Sequence, residues 1–360
     1  MVIELIILLF ILLYIGLISY ILKHQIYIHT STMASIMAFG IVLQGVMNLF
    51  FGDGFFHTNF AKILITFIVA LWVSFWSSIF ISLIKRKWKS LHYKNPVNRF
   101  GIGTWIAASS ICGVLLANHF FTPLVRGLSF LNAALWIFYC WISVKAIMTI
   151  FRLRIVQVHG ILLLTTVSTQ SLIILFHNVY TNVPKQLTYS LLTVGFCFYI
   201  LGTFLIVKRY TEHSWSVETD WNNTNCILHG ALSISGVASI VSGAFNEQSL
   251  FVLWGLTVTI FLIVEGIEIY RLIRLVKESG WKRAVFVYNV SQWSRIFTFS
   301  MFYTFTGFLP VQRPIISSIQ EVVINVGFWV IIALVLIELI LVLQLMFRQK
   351  ETKQQLQESA

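Results

Sequence analysis

The chain has 360 residues, 58% of them hydrophobic and only 11% charged, with a formal net charge of +12. Such a composition leaves no room for a large soluble domain. The basic excess does not point to nucleic acid, because it lies in short segments beside long apolar stretches, where membrane insertion and anionic lipid headgroups account for it.

Eleven apolar stretches follow one another, at roughly 2–22, 33–52, 61–84, 101–121, 127–151, 158–176, 187–207, 224–244, 249–271, 285–308 and 318–347. Each approaches the ~20 residues a helix needs to cross ~30 Å of hydrocarbon. They are solidly apolar rather than alternating, which predicts an all-α, polytopic membrane protein and not a barrel. The first stretch lacks a basic leader and a small-residue cleavage site and reads as an uncleaved anchor. After 349 the tail is polar and Gln-rich.

Basic residues crowd every second gap. Lys85, Arg86, Lys87, Lys89, Lys94 and Arg99 occupy one; Arg152 and Arg154 another; Lys208 and Arg209 a third. Arg271, Arg274, Lys277, Lys282 and Arg283 mark a fourth, and Arg348, Lys350 and Lys353 the tail, whereas the intervening gaps hold little beyond Arg126, Lys185 and Arg313. Positive residues face the cytoplasm, so the C-terminus is expected inside and, with an odd helix count, the N-terminus outside. Trp88, Trp215, Trp221 and Trp281 suit the interfaces.

The even-numbered stretches differ from the odd ones. Gly101, Gly103, Thr104 and Gly113 lie in the fourth; Thr165, Thr166, Ser168, Thr169, Gln170 and Ser171 form a polar run in the sixth; Ser235, Ser239 and Ser242 punctuate the eighth, and Asn289, Gln292, Thr298 and Ser300 the tenth. Small and hydroxyl residues suit close helix packing or a wet pathway, and continuous apolar surface suits lipid. An inner ring of even helices and an outer ring of odd ones is expected, with Thr104, Thr166, Thr169, Gln170, Ser235 and Ser239 as candidate pore-lining residues.

Five segments in this order carry a family resemblance. Met33-Ala34-Ser35-Ile36-Met37-Ala38-Phe39-Gly40-Ile41 resembles the "FA-x-V-M-G-T-G-I" opening of the tellurite-resistance/dicarboxylate transporter family, which includes the plant slow anion channels. Asn95-Pro96 with Phe100-Gly101-Ile102-Gly103-Thr104 is similar to "HP…F-x-G-T-x-P-M-G", and Thr166 to Leu172 to "V-A-T-Q-S-L". Cys226 to Ile234 resembles "W-I-N-M-G-A-x-A-I", and Trp293 with Phe297 to Phe302 resembles "W…F-P-L-G-M-Y". Together they cover about 33–308. The resemblance implies ten helices as five hairpins around a central anion pore, homotrimers in the cell membrane, and anions such as malate, sulfite, chloride, nitrate or tellurite. The family domain would then span 31–348, with 1–30 an added N-terminal helix and 349–360 a cytoplasmic tail. It also implies that Phe297 stands where an aromatic closes the pore. Two departures weaken an open pore: Ile106 and Thr298 stand where the family has helix-kinking prolines.

An ionisable residue deep in a membrane helix is costly and usually functional. Arg295 lies ten residues into its stretch, ~15 Å along a helix beginning at Val285. It is either an anion contact or half of a buried ion pair with Glu265, Glu268 or Glu338. Arg295 and Phe297 point about 200° apart, so both cannot face the axis of a straight helix. His159, His229 and Lys145 read as hydrogen-bonded or snorkelling groups rather than a proton relay. Cys112, Cys140, Cys197 and Cys226 offer neither a disulfide framework nor metal spacing, and no cofactor is expected. No paired carboxylates, His box, phosphate loop or nucleophile elbow indicates an enzyme. An anion channel or carrier is the expected function, with a non-transporting membrane scaffold or sensor as the alternative.

Overall fold

A computed structural model describes residues 2–119, 122–310 and 314–358. Arg313 and the last two residues of the predicted tail lie outside these. No strand occurs among the described residues. Among the described residues, ten helices are long and apolar enough to cross a membrane, so the architecture is that of a multi-pass helical membrane protein.

We number the helices α1 (Val2–Lys23), α2 (Thr30–Phe51), α3 (Asn59–Ile84), α4 (Asn98–Ala117), α5 (Thr122–Leu153), α6 (Gly160–Val179), α7 (Lys185–Glu212), α8 (Asn223–Ser242), α9 (Glu247–Ser279), α10 (Gln292–Phe308) and α11 (Pro314–Glu358). At 17 residues, α10 is the short one. The stretch predicted from 285 does not run straight into it. Trp281–Val285 forms a separate turn of helix, and Asn289 then accepts hydrogen bonds from the Ser291 amide and hydroxyl, an Asx turn that starts α10 afresh. The apolar run Val285-Phe286-Val287 therefore misplaced the helix start by seven residues. The polar tail, for its part, continues α11 as helical backbone to Glu358.

Burial separates two rings. In their most apolar windows α2, α4, α6 and α8 bury 61, 83, 83 and 89% of residues, whereas the long odd-numbered helices bury 6–44%. Outer-helix residues such as Phe130, Leu131, Ile200, Val252 and Trp329 are more than 60% exposed, which is the surface a lipid-facing helix needs. The even helices touch in chain order, α2 on α4, α4 on α6, α6 on α8 and α8 on α10, and α10 packs back on α2 to close the ring. Each outer helix fills the groove behind two neighbours: α3 behind α2 and α4, α5 behind α4 and α6, α7 behind α6 and α8, α9 behind α8 and α10, α11 behind α10 and α2. Helix α1 lies outside this pattern and packs on α3, with the Tyr14 hydroxyl 3.1 Å from Ser77 Oγ.

Lipid tails supply no hydrophobic drive between helices, so the ring depends on close approach. A glycine stands at every seam. A Cβ added to Gly40 would strike Ile111 across α2/α4, to Gly160 the Thr224 carbonyl across α6/α8, to Gly230 the Thr298 side chain across α8/α10, and to Gly45 the Thr304 hydroxyl across α2/α10. At Gly103, on the α4/α6 seam, it would come within 2.7 Å of the Leu164 carbonyl oxygen and the Tyr139 hydroxyl. Backbone cannot yield as a flexible side chain does. Gly103→Ala is expected to destabilise the protein by about 1–3 kcal/mol through overpacking. The check is its thermal unfolding midpoint in detergent; a value equal to wild type would mean that α4 and α6 are not held this closely.

All five inner helices begin at the same end. Short 3-10 turns at Thr30–Met33, Asn98–Ile102, Gly160–Leu163 and Asn223–Cys226 open α2, α4, α6 and α8, touch in sequence, and meet the start of α10. This is the end that carries the basic gaps. It gathers the free backbone N–H groups of five helix starts around the ring's mouth.

Candidate functional site

Two cavities sit inside the ring, one toward each end. The first, about 470 Å³, lies at the basic end. Every inner helix contributes to it from near its start: Ser31 in α2, Asn98 in α4, Leu164 in α6, Ile227 in α8 and Ser294 in α10. The second, about 200 Å³, lies toward the opposite end and is again lined by all five, through Gln44 and Asn48, Ser110 and Ile111, Ser171 and Ile174, Ile234 and Val237, and Met301 and Thr304.

The two cavities lie on the same helix faces. Leu164 and Ser171, Ile227 and Ile234, and Ser294 and Met301 are each seven residues apart, two turns along one side of a helix. One turn of each of these helices separates them. It contains Val167, Gly230 and Phe297, all buried, with Phe297 only 1% exposed. Phe297 thus stands on the axis-facing side of α10 between the cavities. Phe299 points the other way, its ring 5.3 Å from Phe261 of α9 and 6.0 Å from His229.

Helix α2 changes form where it lines the second cavity. Val42–Met47 is π-helical, and Gln44 from this stretch donates through Nε2 to the Ile111 carbonyl of α4 at 2.8 Å. Next to it, Asn48 Oδ1 is buried without a hydrogen-bond partner. A π turn bends a helix and frees carbonyls, frequently at functional sites.

The six candidate lining residues are placed differently from expectation, and none lines either cavity. Thr104 donates to the Thr30 and Gly101 carbonyls at its helix start. Thr166 donates to the Gly195 carbonyl of outer helix α7, against which Gln170 also packs. Thr169 donates to Thr165 and accepts from the Trp136 indole of α5. Ser235 and Ser239 are spent on the carbonyls of Ala231 and Ser235, one turn back. Hydroxyls surround these helices on several sides, so their presence identifies an inner helix without identifying its axis-facing side. Of the residues missed, Thr304 has a signal in its helical phase, seven residues beyond Phe297 on α10, whereas Gln44 and Asn48 on α2 have none.

Arg295 is ion-paired. It lies three residues beyond the start of α10, about 5 Å along the helix and not the ~15 Å expected from a start at Val285. Its Nε is 3.6 Å from Glu265 Oε2 and its Nη2 3.2 Å from Glu268 Oε1, both on α9. Glu265 also lies 3.3 Å from His229 Nε2 of α8, and Glu268 3.1 Å from Arg271 Nη1. Two carboxylates and two guanidiniums balance formally. The cluster is mostly buried and ties α8, α9 and α10 together at one sector of the ring. Glu338, the third partner considered, lies on α11 and is not in the cluster.

At the basic-end cavity, His159 bonds Thr224 through Nδ1 at 2.7 Å. Burial, reinforced by Arg209, pushes its pKa down to about 4, so it is neutral at physiological pH. Arg271 is the one arginine or lysine among that cavity's lining residues, and no carboxylate lines either cavity. No group of His, Cys, Asp and Glu suited to a metal ion occurs among the described residues.

No protein-family model matches this chain, and no curated protein matches it.

Proposed function

We propose that the ring is a translocation pathway for a small anion, closed in this conformation at Phe297. The protein is then a non-enzymatic channel or carrier of the cell membrane, related to the tellurite-resistance/dicarboxylate transporters. One observation carries this reading: two cavities, each lined by all five inner helices, lie in phase on either side of a single buried turn. A ring built only for packing has no reason to open at both ends on the same faces. The anion preference follows from the basic gaps, the converged helix starts and Arg271 at one mouth, with no carboxylate on either lining. No cofactor is required, and a homotrimer is the assembly that the resemblance implies.

Reconstitution into liposomes tests it directly, with flux followed for chloride, nitrate, sulfite, malate and tellurite. Passage of at least one is expected. A flat response to all five from folded, inserted protein would replace the pathway with a scaffold or sensor, for which the buried turn at Phe297 is simply core.

Orientation follows from the same charges. With the basic end cytoplasmic, the N-terminus is outside and the C-terminus inside. A cysteine at the exposed position of Lys89 is expected to resist a membrane-impermeant thiol reagent in intact cells and to react after permeabilisation. Labelling in intact cells would invert the topology.

A further inference from the structure

A third cavity, about 470 Å³, lies outside the ring, between the basic ends of outer helices α5 and α7. Its wall is of two kinds. Arg154, Lys208 and Arg209 bring three cations to it against the single carboxylate of Glu212. One turn further into each helix the lining is apolar, with Ile150 and Phe151 on α5 and Leu205 on α7. The same helix faces continue through Ile147 and Leu201, both partly exposed. Beside Arg209, the Tyr210 ring packs 4.8 Å from Trp215 and 5.2 Å from Trp221, an aromatic group of the kind that sits at headgroup level.

Two of the three cations are committed within the protein. Lys208 lies 3.7 Å from Glu212, and Arg209 donates to the Val158 carbonyl at 2.6 Å and lies 3.7 Å from Asp220. Arg154 is not: its exposed side chain has no hydrogen-bond or ionic partner among the described residues. The backbone does not call for an arginine there either. Its φ is +48°, the left-handed region in which glycine is the ordinary residue and a Cβ is unfavourable.

We propose that this cavity is a binding site for an anionic phospholipid, its phosphate held by Arg154 and Lys208 and its acyl chains laid along Phe151, Ile147, Leu205 and Leu201. Basic loops attract an anionic leaflet without any cavity. A cationic rim above an apolar floor does more, because it matches one amphiphile head to tail. A free phosphate would use the rim and leave the floor uncovered. The site lies outside the ring and holds whether or not the ring conducts.

The test is native mass spectrometry of the solubilised full chain, counting lipid retained from mixtures of phosphatidylglycerol and phosphatidylcholine. Wild type is expected to retain phosphatidylglycerol in preference. Arg154→Gly suits the left-handed backbone and removes the cation. It is expected to bind phosphatidylglycerol about fivefold more weakly, the effect of one cation beside an anionic headgroup, with its unfolding midpoint retained. Arg154→Asn, which also tolerates that backbone, is expected to show the same loss. Arg152→Gln is the control: Arg152 is exposed in the same gap but does not line the cavity, and the variant is expected to bind as wild type. Equal retention of the two lipids by wild type would overturn the site. So would an equal loss in the Arg152 and Arg154 variants, which marks diffuse attraction to the whole gap. Inorganic phosphate in excess is expected to leave the lipid in place; displacement by it would overturn the lipid assignment in favour of a free anion.

Discussion

Phe297→Ala is expected to raise anion flux through the reconstituted protein above wild type, while Phe299→Ala leaves flux at the wild-type level. The ring of Phe297 fills the turn between the two cavities, one turn from Met301 on one side and from Ser294 on the other. A narrow apolar neck excludes ions because the water they need cannot occupy it. Removing the aromatic ring from this turn leaves room for water to join the cavities. Lowering the barrier by about 1.4 kcal/mol already gives a tenfold rise in rate. The same truncation at the partly buried Phe299 empties space against Phe261 and His229, behind α10, and costs less than the about 3–5 kcal/mol of a fully buried Phe, without touching the axis. Conduction by the Phe299 variant with none from the Phe297 variant would show that α10 presents its other face to the pathway.

The second large effect is on stability. Arg295→Gln leaves Glu265 with only His229 and Glu268 with only Arg271, in a sector where water is scarce. Removing one partner of a buried pair typically costs about 3–5 kcal/mol, because the remaining charge is not solvated. A marked fall in unfolding midpoint is expected, with partial recovery when Glu265→Gln is added, since charge balance is then restored. If the double variant is no better than the single, the loss comes from Arg295 packing and not from its charge.

How much of this was readable in the residues depends on what kind of signal each feature leaves. The alternation of polar-small and greasy stretches marked inner and outer helices correctly, since burial in a membrane bundle selects small side chains and lipid selects large apolar ones. The gaps of basic residues likewise marked the end where the inner helices start. Direction around each helix was not legible. Thr166 and Gln170 meet an outer helix, while Ile111, Ile174 and Val237, which look like core, line a cavity. The start of α10 was hidden because Val285 to Val287 are apolar without being part of that helix, and only Asn289 in its Asx turn marks the true beginning. Arg295 was correspondingly drawn too deep. The π-helical turn of α2 has no sequence signature beyond Gln44 and Gly45.

That turn has a consequence for how the chain can change length. A π-helical turn is an α-helix carrying one surplus residue, so deleting one residue between Val42 and Met47 leaves a hydrogen-bonded helix and not a broken one. The flanking α-helical segments would keep their faces, because the turn already takes up the extra residue. Asn48 would stay on the cavity wall, and only residues inside the turn, Gln44 among them, would change direction. A single codon lost there would thus alter the lining of one chamber at that turn while the rest of the five-helix ring and its charged sector stay in place.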